Sequence, residues 1–91
     1  MHRLVWTDEA LEDLTTIVAY IAERNIAAAL KLRAAISDTA DKISRDPLIY
    51  RGGRVQGTRE AVVHPNYIIV YRADTEMVEV AAVLHARMRY P

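Results

Sequence analysis

The chain reads as an α+β domain: an N-terminal strand, then an antiparallel helix hairpin packed on one face of a twisted antiparallel β-sheet. Three observations lead there. Apolar residues recur at three–four spacing through the first half of the chain. Asp46-Pro47 ends that pattern, because proline disfavours helical geometry in the residue before it. Beyond it the apolar period becomes two, in short runs parted by turn residues. Helices followed by consecutive hairpin strands imply an antiparallel sheet with one layer of helices.

His2 to Trp6 reads as a short strand, and Thr7 as the N-cap of a helix. Asp8, Glu9, Glu12 and Asp13 fill the first turns, where the positive end of the helix dipole favours carboxylates. Leu11, Leu14, Val18 and Ile21 form the apolar stripe of this helix, which runs to about Arg24. Asn25 ends it and caps a second helix, whose stripe is Ala29, Leu32, Ile36, Thr39 and Ile43. So short a hinge makes the two helices antiparallel.

Tyr50-Arg51-Gly52-Gly53-Arg54 is expected to be a flexible loop. Arg59 to Val63 is a strand that turns at His64-Pro65-Asn66, and Tyr67 to Ala73 is rich in β-branched and aromatic residues. Asp74-Thr75-Glu76 is a tight turn before a last strand, Met77 to Leu84. The N-terminal strand joins this sheet, since a lone strand cannot satisfy its backbone groups. One sheet face buries the helices. The other is left for solvent or a partner, with arginine-bearing strand ends around it.

Ninety-one residues, 52% hydrophobic and 26% charged, make a single domain, residues 1–91. Without cysteine there is no disulfide and no thiolate metal site. His2, His64 and His85 lack the close spacing of metal ligands, so no metal or other cofactor is expected. The longest apolar run, Ile17 to Ala22, is too short for a bilayer, and acids stand where a signal peptide needs apolar residues. A cytoplasmic protein is expected. Net charge is zero, but residues 1–46 hold six basic and eight acidic groups while residues 47–91 hold six and four. The second half therefore leans toward an anionic partner, although general nucleic-acid binders are more basic than this.

Arginine supplies every cation after Pro47, at Arg51, Arg54, Arg59, Arg72, Arg87 and Arg89. Its planar fork of donors matches phosphate and carboxylate. Gly57-Thr58-Arg59-Glu60, Tyr67-Ile68-Ile69-Val70-Tyr71-Arg72 and Val83-Leu84-His85-Ala86-Arg87 bring these arginines to strand ends beside a histidine and tyrosines. A site for something anionic is the reading, drawing on Arg51, Arg54, Arg59, Arg87 and Arg89.

The order of these pieces resembles the RelE/ParE toxins of type II toxin–antitoxin modules. The match runs from Trp6-Thr7 through Asp13-Leu14, Tyr20-Ile21-Ala22 and Asn25, past the Gly-Arg loop, to Tyr90-Pro91. The resemblance implies two helices on a twisted sheet, growth inhibition, a part in plasmid stabilisation, and a cognate antitoxin that wraps the toxin in a hetero-oligomer. It leaves two targets open. ParE-like members inhibit DNA gyrase by binding; RelE-like members cut ribosome-bound mRNA and are endoribonucleases.

If the chain is RelE-like, the resemblance and the chemistry together make Arg59, His85 and Tyr90 the catalytic candidates. Arg59, with Arg51 or Arg54, would clamp the scissile phosphate. His85 would serve as acid or base, and Tyr90 would stack on a base or donate a proton. RelE-like nucleases often carry a basic residue where this chain has Ile68, and many members an arginine where it has Ala82. Those departures tilt the expectation toward a ParE-like inhibitor, with an inactive or regulatory homologue as a further alternative. Each residue also has a structural role open to it: Arg59 paired with Glu60 or a helix acid, His85 bonded to a loop, Arg72 bridging to Asp74 or Glu76. Mixed arginines would suit an acidic antitoxin segment held by strand addition or in a groove.

Overall fold

The computed structural model describes residues 1–90; Pro91, the last residue of the resemblance, lies outside the described residues. The elements are β1 (Arg3–Trp6), α1 (Asp8–Ala22), α2 (Ile26–Arg45), β2 (Arg51–Gly52), β3 (Arg59–His64), β4 (Tyr67–Ala73) and β5 (Met77–His85). Both helix starts form as their sequence dictates. The Thr7 hydroxyl accepts from the Ala10 amide, and the Asn25 side chain accepts from the Ala28 amide, each satisfying an N-terminal N–H that has no partner inside the helix. At the β4–β5 turn the Asp74 carboxylate accepts from the Glu76 and Met77 amides. Those bonds, Glu76's first, lower its pKa.

The sheet has the order β1-β5-β4-β3-β2. Strands β2 to β5 pair antiparallel, as their hairpins require. Strand β1 instead lies parallel to β5, with Trp6 opposite Val80, so the sheet is mixed rather than wholly antiparallel. The physical reason is the connection. A tight hairpin forces antiparallel pairing, whereas β1 leaves through a two-helix crossover long enough to allow either direction. That crossover carries the chain from one sheet edge, β1, to the other, β2. The stretch expected as a flexible loop contributes that edge strand, with Arg51 opposite Glu60 and Gly52 opposite Arg59.

The helices cover one face only. Leu32, Ile36 and Ile43 of α2 and Ala10 of α1 join Ala61, Ile69, Tyr71, Val78, Val80 and Val83 in the main core. Fully burying a side chain such as Ile36 contributes roughly 1.5–3 kcal/mol. The stripe of α1 is rotated by about one residue from the expected one. Ala10, Leu14, Ile17 and Ile21 face the core, and Leu11 is 47% exposed. Two tertiary bonds accompany this setting: the Thr7 hydroxyl donates to the Ala81 carbonyl, and the Val83 amide donates to the Asp13 carboxylate.

The second face is covered too. Ile68, Val70, Ala82 and Leu84 form a buried cluster there, and Tyr90 packs on it. The C-terminal segment is tied down by the Ala86 amide donating to the Asn66 carbonyl (2.7 Å) and by Arg54, which donates to the carbonyls of Met88 (2.8 Å) and Ala86 (3.2 Å). The face expected to stand open is thus occupied by the chain's own end.

Candidate functional site

Each residue of Gly57-Thr58-Arg59-Glu60 has a local task. Gly57 takes φ = 84°, a left-handed conformation costly for a residue with a Cβ. The Thr58 hydroxyl donates to the Val55 carbonyl (2.6 Å), and the Gly53 amide donates to the Thr58 carbonyl (2.8 Å), closing the β2–β3 connection. Arg59 donates to the Tyr50 carbonyl (2.6 Å) and more weakly to that of Leu48 (3.4 Å). Glu60, 4% exposed, accepts from the Arg51 guanidinium (3.3 Å) and the Arg54 amide (2.9 Å), and pairs with Arg54 Nε (3.3 Å).

Consecutive residues of a strand point to opposite faces. Arg59 therefore works on the helix side, among Tyr50 and Tyr71, whereas Glu60 gathers Arg51 and Arg54 on the other side. The expected clamp of Arg59 with Arg51 or Arg54 is divided by the sheet. Nor does Arg59 pair with Glu60. Tyr71 lies opposite Arg59 and donates its hydroxyl to the Pro47 carbonyl. Burial pushes that hydroxyl up to about 12, the Arg59 charge pulling the other way.

His85 is remote from Arg59. It lies opposite Tyr67 on β4, while Arg59 lies opposite Tyr71. Four residues along the strand and two strand spacings separate their backbones by roughly 16 Å. The Arg87 amide donates to His85 Nδ1 (3.1 Å), which leaves the proton of the neutral ring on Nε2. His64 is held alike by the Asn66 amide, and Tyr67 lies between the imidazoles, 5.9 Å from His64 and 5.4 Å from His85 by ring centroids. Arg87 and Arg89 are exposed on the C-terminal segment, and Tyr90 is half-buried on the second face. Arg72 lies opposite Glu79; among the described residues the ion pairs are those of Glu60. Arg59 therefore stands apart on the helix side, while Glu60 brings Arg51 and Arg54 together and Arg54 reaches the segment that carries Arg87, Arg89 and Tyr90.

Between α1 and the end of β5 runs a groove of about 480 Å³, floored by Ile17, Tyr67, Val83 and Leu84 and rimmed by Glu9, Glu12 and Asp13. The β1–β5 register ends at Trp6–Val80, so the outer edge of β5 passes the groove without a strand partner among the described residues. Sequence reasoning missed it. The available signal was a second apolar strip on α1, Ile17 with Tyr20, lying beyond the expected stripe. No described helix is long and apolar enough to cross a membrane.

Two helices on a mixed five-stranded sheet make the small fold of the RelE/ParE superfamily toxins. Residues 4–90 match the model of the ParE toxin of type II toxin–antitoxin system, parDE, and the chain belongs to that family. It is 38% identical to Y4kP of Sinorhizobium fredii over 98% of this chain and 93% of that one. It is 36% identical to the toxin RelE2 of Caulobacter vibrioides over 94% and 97%. The fold matches a chain of the chromosomal ParDE system of P. aeruginosa at a TM-score of 0.81, with 19% identity over 93% of this chain and 96% of that one. A chain of the RelBE2 toxin–antitoxin complex of Mycobacterium tuberculosis matches at 0.67, with 26% identity over 92% and 96%.

Proposed function

We propose that this toxin acts by binding its target, DNA gyrase, in the cytoplasm, and does not cleave RNA. The observation that carries this is the burial of Ile68 (1% exposed) and Ala82 (4%) beneath Tyr90. These are the positions at which RelE-like nucleases often bring a cation to the phosphate. Here they form an apolar floor, and the Arg54 guanidinium on this side of the sheet is spent on Glu60 and the tail carbonyls. Losing one preorganised donor costs about 10²–10³ in rate, and here several are missing or displaced.

The cognate antitoxin has a matching place in this reading: the groove along α1. From Glu9 to Tyr20 the helix lines it for about 16 Å. An amphipathic segment of the antitoxin would set apolar side chains on Ile17, Tyr67 and Leu84 and lysines or arginines against Glu9, Glu12 and Asp13. The acidic rim favours a basic segment, whereas the arginines of the sequence pointed to an acidic one.

Purified toxin is expected to inhibit gyrase supercoiling and to leave ribosome-bound mRNA intact, with antitoxin reversing the inhibition. Cleavage of ribosome-bound mRNA that disappears in Arg59→Ala or His85→Ala would overturn the binding reading.

A further inference from the structure

We infer that Leu48 and Ile49 form a rigid apolar knob that enters an acid-rimmed apolar pocket on the protein this toxin poisons. The inference rests on the reading of the chain as a binding toxin and assigns the contact that reading leaves unspecified. Leu48 is 69% exposed and Ile49 63%, side by side in the connection between α2 and β2. Exposed aliphatic side chains are common singly. What distinguishes this pair is the backbone beneath it.

Two side chains hold three carbonyls of that backbone from the core side. The buried Tyr71 hydroxyl donates to the Pro47 carbonyl, and Arg59 donates to the carbonyls of Leu48 and Tyr50. Tyr50 meets the Tyr71 ring edge-on, with centroids 6.3 Å apart. Pro47 is buried and Tyr50 half-buried on either side of the exposed pair. The turn is fixed at both ends and the middle, yet nothing among the described residues covers its side chains. Exposed apolar groups on an immobilised backbone lose little conformational freedom on docking, which is the property of an interface anchor.

The preceding charges name the partner. Lys42 and Arg45 occupy the last turn of α2, just ahead of the pair, with Asp46 the acid that follows them; Arg51, beyond the pair on β2, is turned to Glu60 on the opposite face. An apolar tip that follows two cations and one acid along the chain complements an apolar pocket edged by aspartate or glutamate. A nucleic acid is the poorer fit. The chain has no net charge to hold a duplex, and an apolar wedge would have to unstack bases without phosphate clamps around it.

The test uses full-length toxin released from its antitoxin, wild type beside Leu48→Ser/Ile49→Ser. Both sites are exposed, so the thermal midpoint and antitoxin affinity should stay at wild-type values. Inhibition of supercoiling should weaken at least tenfold, and growth arrest on expression should be lost. Unchanged growth arrest would overturn the knob, whichever target the toxin has. An equal loss of antitoxin affinity, or wild-type binding to linear DNA that the substitutions abolish, would overturn it as well. A wild-type toxin that arrests growth but spares gyrase would sink the gyrase reading alone, because growth arrest still reads the knob.

Discussion

Arg59 and Tyr71 face each other across β3 and β4, and both reach the same turn, one through the carbonyls of Leu48 and Tyr50, the other through that of Pro47. A motif arginine that looks like a phosphate ligand thus braces a loop. Its neighbour Glu60 braces the opposite face, and through Arg54 it holds the chain's own C-terminal segment. The Gly-Thr-Arg-Glu segment is a pair of back-to-back anchors. What it supports at its two ends, the Leu48-Ile49 turn and the tail, is where the surface of the molecule is set.

Tyr71→Phe should lower stability by about 1–3 kcal/mol in urea denaturation at neutral pH, because the Pro47 carbonyl loses its buried donor. The same hydroxyl carries a pH signature. Its folded pKa of about 12 lies above the ordinary 10.0 because burial disfavours the charged form. The stabilisation tied to it is complete below pH 10 and is lost as pH rises through about 12. Wild type should therefore weaken over that alkaline window more steeply than Tyr71→Phe.

Glu60→Ala should cost about 2 kcal/mol, below the usual figure for breaking a fully buried pair, because Arg51 is largely exposed and can turn to water. Its more specific effect is remote. With Arg54 no longer held, trypsin should cut after Arg87 and Arg89 several-fold faster, while sites on α2 keep their wild-type rates. Equal acceleration everywhere would indicate global destabilisation and not release of the tail.

Gly53→Ala should destabilise by about 1–3 kcal/mol, since the added Cβ would lie 2.2 Å from the Thr58 hydroxyl and 3.2 Å from the Thr58 backbone. Adding Thr58→Ala removes the nearer atom. The double variant should therefore lose less than the sum of the two single changes, a coupling that a double-mutant cycle in denaturant would read directly.

Glu9→Lys/Glu12→Lys should weaken antitoxin binding at least tenfold at low salt, with the difference shrinking as ionic strength rises. Both side chains are exposed, so the thermal midpoint of free toxin should hardly move. Undiminished antitoxin affinity, measured by calorimetry, would remove the groove from consideration as the docking place.

Local chemistry was legible in the sequence wherever neighbours in the chain decide it. The caps at Thr7 and Asn25, the break at Pro47, the turn at Asp74 and the switch of apolar period each depend on a few adjacent residues, and each stands in the fold as read. The order of motifs sufficed for the family as well. The tertiary structure decided everything that depends on which elements meet. It set β1 parallel to β5, turned Ala10 inward in place of Leu11, drew Tyr90 over Ile68 and Ala82, and put Arg59 and Glu60 to work on opposite faces. Periodicity says that a residue faces a side of its own element. Only the packing of elements far apart in sequence determines which side that is, and what waits there.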